Sequence, residues 1–119
     1  MKFTEEHEWL RVEDDGVVVG ITEHATTQLG DIVFVELPEV GMTVTKDEEI
    51  VVIESVKAAS DIMAPIDGEI VEVNDALTDN PAMANEDALG NGWFFKIKPS
   101  DPSQMDEYMD EAAYNKLIA

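Results

Sequence analysis

The segment Val51-Val52-Ile53-Glu54-Ser55-Val56-Lys57-Ala58-Ala59-Ser60-Asp61-Ile62-Met63-Ala64-Pro65 restricts the fold more than any other part of the chain. A β-branched, apolar run climbs to Lys57, and a second short apolar run leaves it. Branched side chains pack well on a pleated strand. Two such runs separated by small and polar residues read as strands meeting at a turn, with one primary amine at its tip. That amine is isolated, because between Val12 and Phe95 the only lysines or arginines are Lys46 and Lys57. Ala58, Ala59 and Ser60 are small and leave the amine open to a modifying enzyme.

The flanking sequence extends the β pattern. Phe3 to Arg11 alternates loosely around Trp9, and Asp15-Gly16 before Val17-Val18-Val19 is a hairpin signal. Thr22 is placed to cap a helix over Glu23 to Leu29, with Gly30 as its stop. Asp31 to Leu37 reads as a strand ended by the turn Pro38-Glu39-Val40-Gly41. Val33 to Lys57 and Ile62 to Val73 echo one another weakly, which predicts two related β-layers packed face to face, with Lys57 in the turn that joins them. Asn74 to Gly92 is expected to be loop-rich, and Trp93 to Lys98 a last strand whose aromatic cluster supplies core. Asp101-Pro102-Ser103 marks a helix start. Met105, Tyr108, Met109 and Ala112 then recur at helical spacing, predicting a helical segment over about 101–117 that packs on the sheet. The chain is read as one domain over 1–119, mainly β (α+β), with short helices and a helical C-terminus.

Composition narrows the function. The 119 residues include 27 acidic and 7 basic side chains, a formal net charge of −20. Such a surface repels nucleic acid and anionic membranes, which need clustered cations. Two explanations of the acidity remain open: a solvated coat suited to high salt, and recognition by basic partner surfaces. Cysteine is absent, so no thiolate nucleophile or cysteine metal site is available. No phosphate-binding loop, dinucleotide fingerprint or nucleophile elbow is present. Two histidines, His7 and His24, cannot build a three-histidine metal site. No catalytic and no metal site is therefore expected. The acidic N-terminus does not read as a signal peptide, so a cytoplasmic protein is expected, mitochondrial only if a leader has been removed.

Glu54-Ser55-Val56-Lys57-Ala58 resembles the lipoylation motif of the glycine cleavage system H protein family. His7-Glu8-Trp9, Gly20-Ile21-Thr22, Leu29-Gly30-Asp31-Ile32-Val33-Phe34-Val35-Glu36-Leu37-Pro38, Asn80-Pro81 and Gly92-Trp93 fall in that family's order and spacing. The resemblance covers nearly the whole chain and implies a lipoyl-domain-like β-sandwich, or barrel-sandwich hybrid. Biotin carrier domains usually flank their lysine with methionines, where this chain has Val56 and Ala58, and so fit less well. Asp47 and Ala88 stand where the family usually has glycine and proline.

The resemblance implies a non-catalytic carrier with lipoic acid amidated to Lys57. The carrier would take an aminomethyl group from a pyridoxal-phosphate glycine decarboxylase (P protein) and deliver it to a tetrahydrofolate-dependent aminomethyltransferase (T protein). Its dithiol would then be reoxidised by a dihydrolipoyl dehydrogenase (L protein). Glu8 and Asp61, with His24 nearby, would hold the amine in a groove for the arm. Glu54 and Asp61 flank the lysine and would guide the lipoyl-attaching enzyme. An H-like protein that donates lipoyl groups or serves a sulfur pathway needs the same lysine and fold, and that reading stays open. A monomer is expected.

Overall fold

The computed structural model describes all residues, 1–119. Strands β1 (Lys2–Phe3), β2 (Glu8–Glu13) and β3 (Gly16–Ile21) open the chain, followed by helix α1 (Glu23–Leu29) and strand β4 (Ile32–Glu36). Strands β5 (Thr43–Val44), β6 (Glu49–Ser55), β7 (Ala59–Met63) and β8 (Gly68–Val73) come next. Short helices α2 (Ala76–Asp79) and α3 (Met83–Glu86) lead to β9 (Phe95–Pro99), a 3-10 turn (Pro102–Glu107) and helix α4 (Glu111–Ile118). A six-stranded sheet, ordered β1-β2-β3-β9-β8-β5, faces a three-stranded one, ordered β4-β6-β7. The sandwich expected from the sequence is present. No helix is long and apolar enough to cross a membrane.

The alternation of side chains along a strand decides what lies between the sheets. Leu10, Val17, Val19, Phe95 and Ile97 of the larger sheet meet Val35, Val51, Ile53 and Ile62 of the smaller one in the main core. Strand β3 is buried along its whole length because its other face is covered too. There Val18 packs with Phe3, Trp9 and Tyr114, so the C-terminal helix seals the outer face of the larger sheet. Gly20 lies opposite Trp9, and a Cβ at Gly20 would sit 2.5 Å from the Trp9 ring. The indole N–H donates to the Ala88 carbonyl at 2.8 Å.

Local signals in the sequence proved reliable. Glu13 pairs with Gly16 across the Asp14-Asp15 turn. Thr22 accepts from the Ala25 amide, and Gly30 ends α1 with φ +73°. Two longer-range expectations are corrected. The Lys57 turn does not join the two layers: Glu54 pairs with Ala59 across it, so β6 and β7 form a hairpin within the smaller sheet. The chain changes sheets on either side of that hairpin instead, from β5 into β6 and from β7 into β8. Asn74 to Gly92 is loop-rich as expected, and it also carries two short helices that bury Leu77 and Ala84. The C-terminal segment is not one continuous helix. It breaks between Glu107 and Glu111 because Met109 pairs with Phe3 as a β-bridge, which ties those residues to β1 in extended form. Ala112 is consequently exposed, and Tyr114 is the buried anchor of α4.

Candidate functional site

Lys57 stands at the exposed tip of the β6–β7 hairpin. The Ser55 hydroxyl stitches the turn, accepting from the amides of Lys57 at 3.3 Å and Ala58 at 3.1 Å and donating to the Ala58 carbonyl at 2.8 Å. A second support comes from below. The Val56 amide donates to the Asp31 carbonyl at 3.0 Å. The Asn85 side chain holds both neighbours of Asp31, accepting from the Ile32 amide and donating to the Gly30 carbonyl. A bulge in β4 gives Val33 an extra place between Ile32 and Phe34 and turns it outward beside the hairpin. Every ion pair in the molecule is made by Arg11, Lys46 or Lys96, so the Lys57 ammonium has no carboxylate holding it.

At the far end of β7 lies a cavity of about 300 Å³, lined among others by Thr4, Glu8, Lys46, Met63, Glu107 and Tyr108. Glu8 is only 4% exposed. It is fixed by the loop that precedes β2: Thr4 Oγ1 accepts from the amides of Glu6 and Glu8 and donates to Glu8 Oε1 at 3.3 Å. Burial raises the Glu8 carboxyl from its ordinary 4.5 to about 7, hydrogen bonds from Thr4 and the Met63 backbone offset part of that, and Glu6 and Asp47 add to it. The cavity thus holds a carboxyl poised to lose its proton to water when a cation enters and favours the carboxylate. Burial also raises the Tyr108 phenol, which the Lys46 charge opposes. Its hydroxyl donates to the Pro65 carbonyl.

Similarity to known proteins fits this layout. The Glycine cleavage H-protein family matches residues 1–119. The chain belongs to that family. It is 52% identical over 117 residues to a glycine cleavage system H protein of Rhodospirillum rubrum, covering 98% of this chain and 93% of the relative. A second relative of the same name, from Parvibaculum lavamentivorans, is 50% identical over 118 residues, covering 99% and 94%. The crystal structure of a glycine cleavage system H protein from Mycobacterium marinum superposes with a TM-score of 0.87 at 41% identity, covering 97% of this chain and 93% of that one.

In this H-protein fold the residues singled out from the sequence do not all gather in one place. Glu54 shares a shallow depression with Lys57 and Val33. Asp61 does not line that depression or the Glu8 cavity. It is exposed midway along β7, on the same face as Met63, on the track between the two. His24 is separated from Glu8. Its ring lies 4.6 Å from that of His7, beside α4, and those two histidines line a different hollow with Leu117 and Ile118. His7 sits in a turn with a φ of +67°, and its ring meets the Tyr114 hydroxyl at 2.9 Å. Burial and the facing His24 lower the His7 pKa, against a smaller opposing pull from Glu6. Sequence reasoning missed Thr4, Tyr108, Asn85 and Lys46. Only Lys46 had carried a signal, being the one other cation between Val12 and Phe95.

Proposed function

We propose that the chain is the lipoyl carrier of glycine cleavage, with lipoic acid amidated to Lys57. The observation that carries this reading is an exposed amine without an ion pair, on a hairpin tip braced by Ser55 and Asn85, in a chain of this family. The residues suit an acyl arm: small Ala58 and Ala59 leave access for the attaching enzyme, and Val33 and Val56 offer apolar contact to a hydrocarbon chain. Amidation removes the ammonium charge. When attached, the dithiolane supplies a disulfide that can take up a one-carbon amine unit and two electrons.

The chain itself binds and protects. Glu54 serves as a recognition element for the lipoyl-attaching enzyme, and Asp61 continues the acidic face past it. β7 leads from the tip to the cavity, where Glu8, once ionised, holds a cationic amine cargo while surrounding residues keep water away. Asp61 guides the cargo along that track, and His24, facing His7 instead, has no part. Bond making and breaking belong to the partners: the glycine decarboxylase, the aminomethyltransferase and the dihydrolipoyl dehydrogenase. Tethering keeps the cargo concentrated at each docked partner without tight binding.

Peptide mass spectrometry of protein from lipoate-replete native cells tests the attachment. A lipoyl group on Lys57 is expected, and Lys57→Arg should remain unmodified because guanidinium does not form this amide. An unmodified Lys57 would overturn the proposal. Glu8→Gln and Asp61→Asn should each speed loss of the amine cargo from loaded, isolated carrier. Unchanged decay in both variants would remove the groove from the account.

A further inference from the structure

The cavity that receives the cargo contains a cation of the chain's own. Lys46 lines it together with Thr4, Glu6, Glu8 and Asp47. A flexible ammonium in a pocket built for an ammonium is a competitor. Lys46 Nζ is instead drawn outward, 2.7 Å from Glu107 Oε2 and 5.7 Å from the Tyr108 ring centroid. Glu107 ends the 3-10 turn that follows β9. That turn is anchored without the Lys46–Glu107 pair. Gln104 accepts from the Asp67 amide at 2.8 Å and donates to its carboxylate at 3.1 Å, and Tyr108 bonds the Pro65 carbonyl.

We propose that Glu107 is a positioning residue of this cavity, pairing with Lys46 Nζ at the rim so that the chain's own ammonium does not occupy the place of the cargo's. The inference rests on the carrier reading for its purpose, though not for its geometry. The charges acting most on Glu8 are the acids Glu6 and Asp47, with Lys46 not among them. Lys46, Glu8 and Tyr108 nevertheless line the same cavity. Glu107 is 63% exposed at its side chain and Lys46 34%, so water surrounds the pair and can exchange its partners. Without Glu107, the remaining carboxylates that line the cavity with Lys46 are Glu5, Glu6, Glu8 and Asp47.

The test is a double-mutant cycle read by side-chain carbon NMR of Glu8 in protein without lipoate. Four proteins are titrated: wild type, Glu107→Gln, Lys46→Met and the double variant. With Lys46 present, Glu107→Gln should lower the Glu8 midpoint by about one pH unit, the scale of an opposite charge arriving within contact range. In the Lys46→Met background the same change should have little effect, because only the direct field of Glu107 is then lost. Equal shifts in both backgrounds, or none in either, would overturn the proposal. No cargo is present, so the result is independent of the loss-of-cargo assay that tests the carrier groove.

Discussion

Replacing Glu8 with glutamine should make this protein more stable, and increasingly so as the pH rises. Glu8 is 4% exposed and its carboxyl is raised from 4.5 to about 7, so solvent screening does little to discount the effect. Because the folded-state pKa lies above the unfolded one, the folded protein binds more protons through that window. The contribution of Glu8 to stability is therefore fully present below 4.5 and is lost as the pH rises through about 7. A rise of this size corresponds to roughly 3 kcal/mol in all. Glutamine keeps the shape and can still accept from Thr4 but never ionises. The stability gap between Glu8→Gln and wild type should accordingly grow by about 2.5 kcal/mol from about pH 5 to about pH 8. At the upper pH that gap corresponds to a Tm roughly 10 °C higher for the variant. Urea unfolding of both proteins across this range measures it, and taking the difference cancels the response of the other acids. A gap that stays flat with pH would refute the burial argument. A growing gap would show a chain that gives up stability to keep an ionisable group in a cavity, as functional sites do.

Other consequences can be checked on the same footing. Gly20→Ala sets a methyl 2.5 Å from the Trp9 ring, and displacing that indole also strains its bond to Ala88. A loss of about 2–4 kcal/mol at unchanged m-value is expected in denaturant unfolding followed by tryptophan fluorescence, and a loss well below 1 kcal/mol would mean that the ring yields freely. Lys96 reaches Glu13, Asp15 and Glu72 at 3.5, 3.2 and 3.3 Å, but those carboxylates are 39% or more exposed. Lys96→Met should therefore cost only about 1 kcal/mol, and the difference should shrink at high salt; a salt-independent gap would point to packing instead.

The sequence disclosed whatever could be stated over a few adjacent residues. The Asp-Gly hairpin signal, the Thr22 cap, the Gly30 stop and the Lys57 hairpin are all local, and all are found in the fold. Asp47, where the family usually has glycine, adopts a left-handed φ of +73°, so the departure marked a real demand on the backbone. What stayed hidden depends on contacts between distant segments. The Phe3–Met109 bridge interrupts a pattern whose spacing looked helical throughout. Glu8 is one acid among many, and only the closure of the loop from Thr4 to His7 buries it. Lys46 and Glu107 lie 61 positions apart, and nothing in either neighbourhood points to the other. His24 illustrates the opposite error: near Glu8 in the reading of the sequence, it stands on α1 beside His7 and lines a different hollow.

The strand between Lys57 and the Glu8 cavity is a ruler. No hinge interrupts β7, whose five residues at about 3.3 Å each set anchor and dock roughly 15 Å apart. Side chains alternate along it, so adding one residue would turn Asp61 and Met63 to the opposite face. Adding two would restore the faces but lengthen the scale by about 7 Å. A tether of fixed chemical length tolerates neither change well. The length of this hairpin is thus tied to the arm it would carry, even at positions the arm never touches.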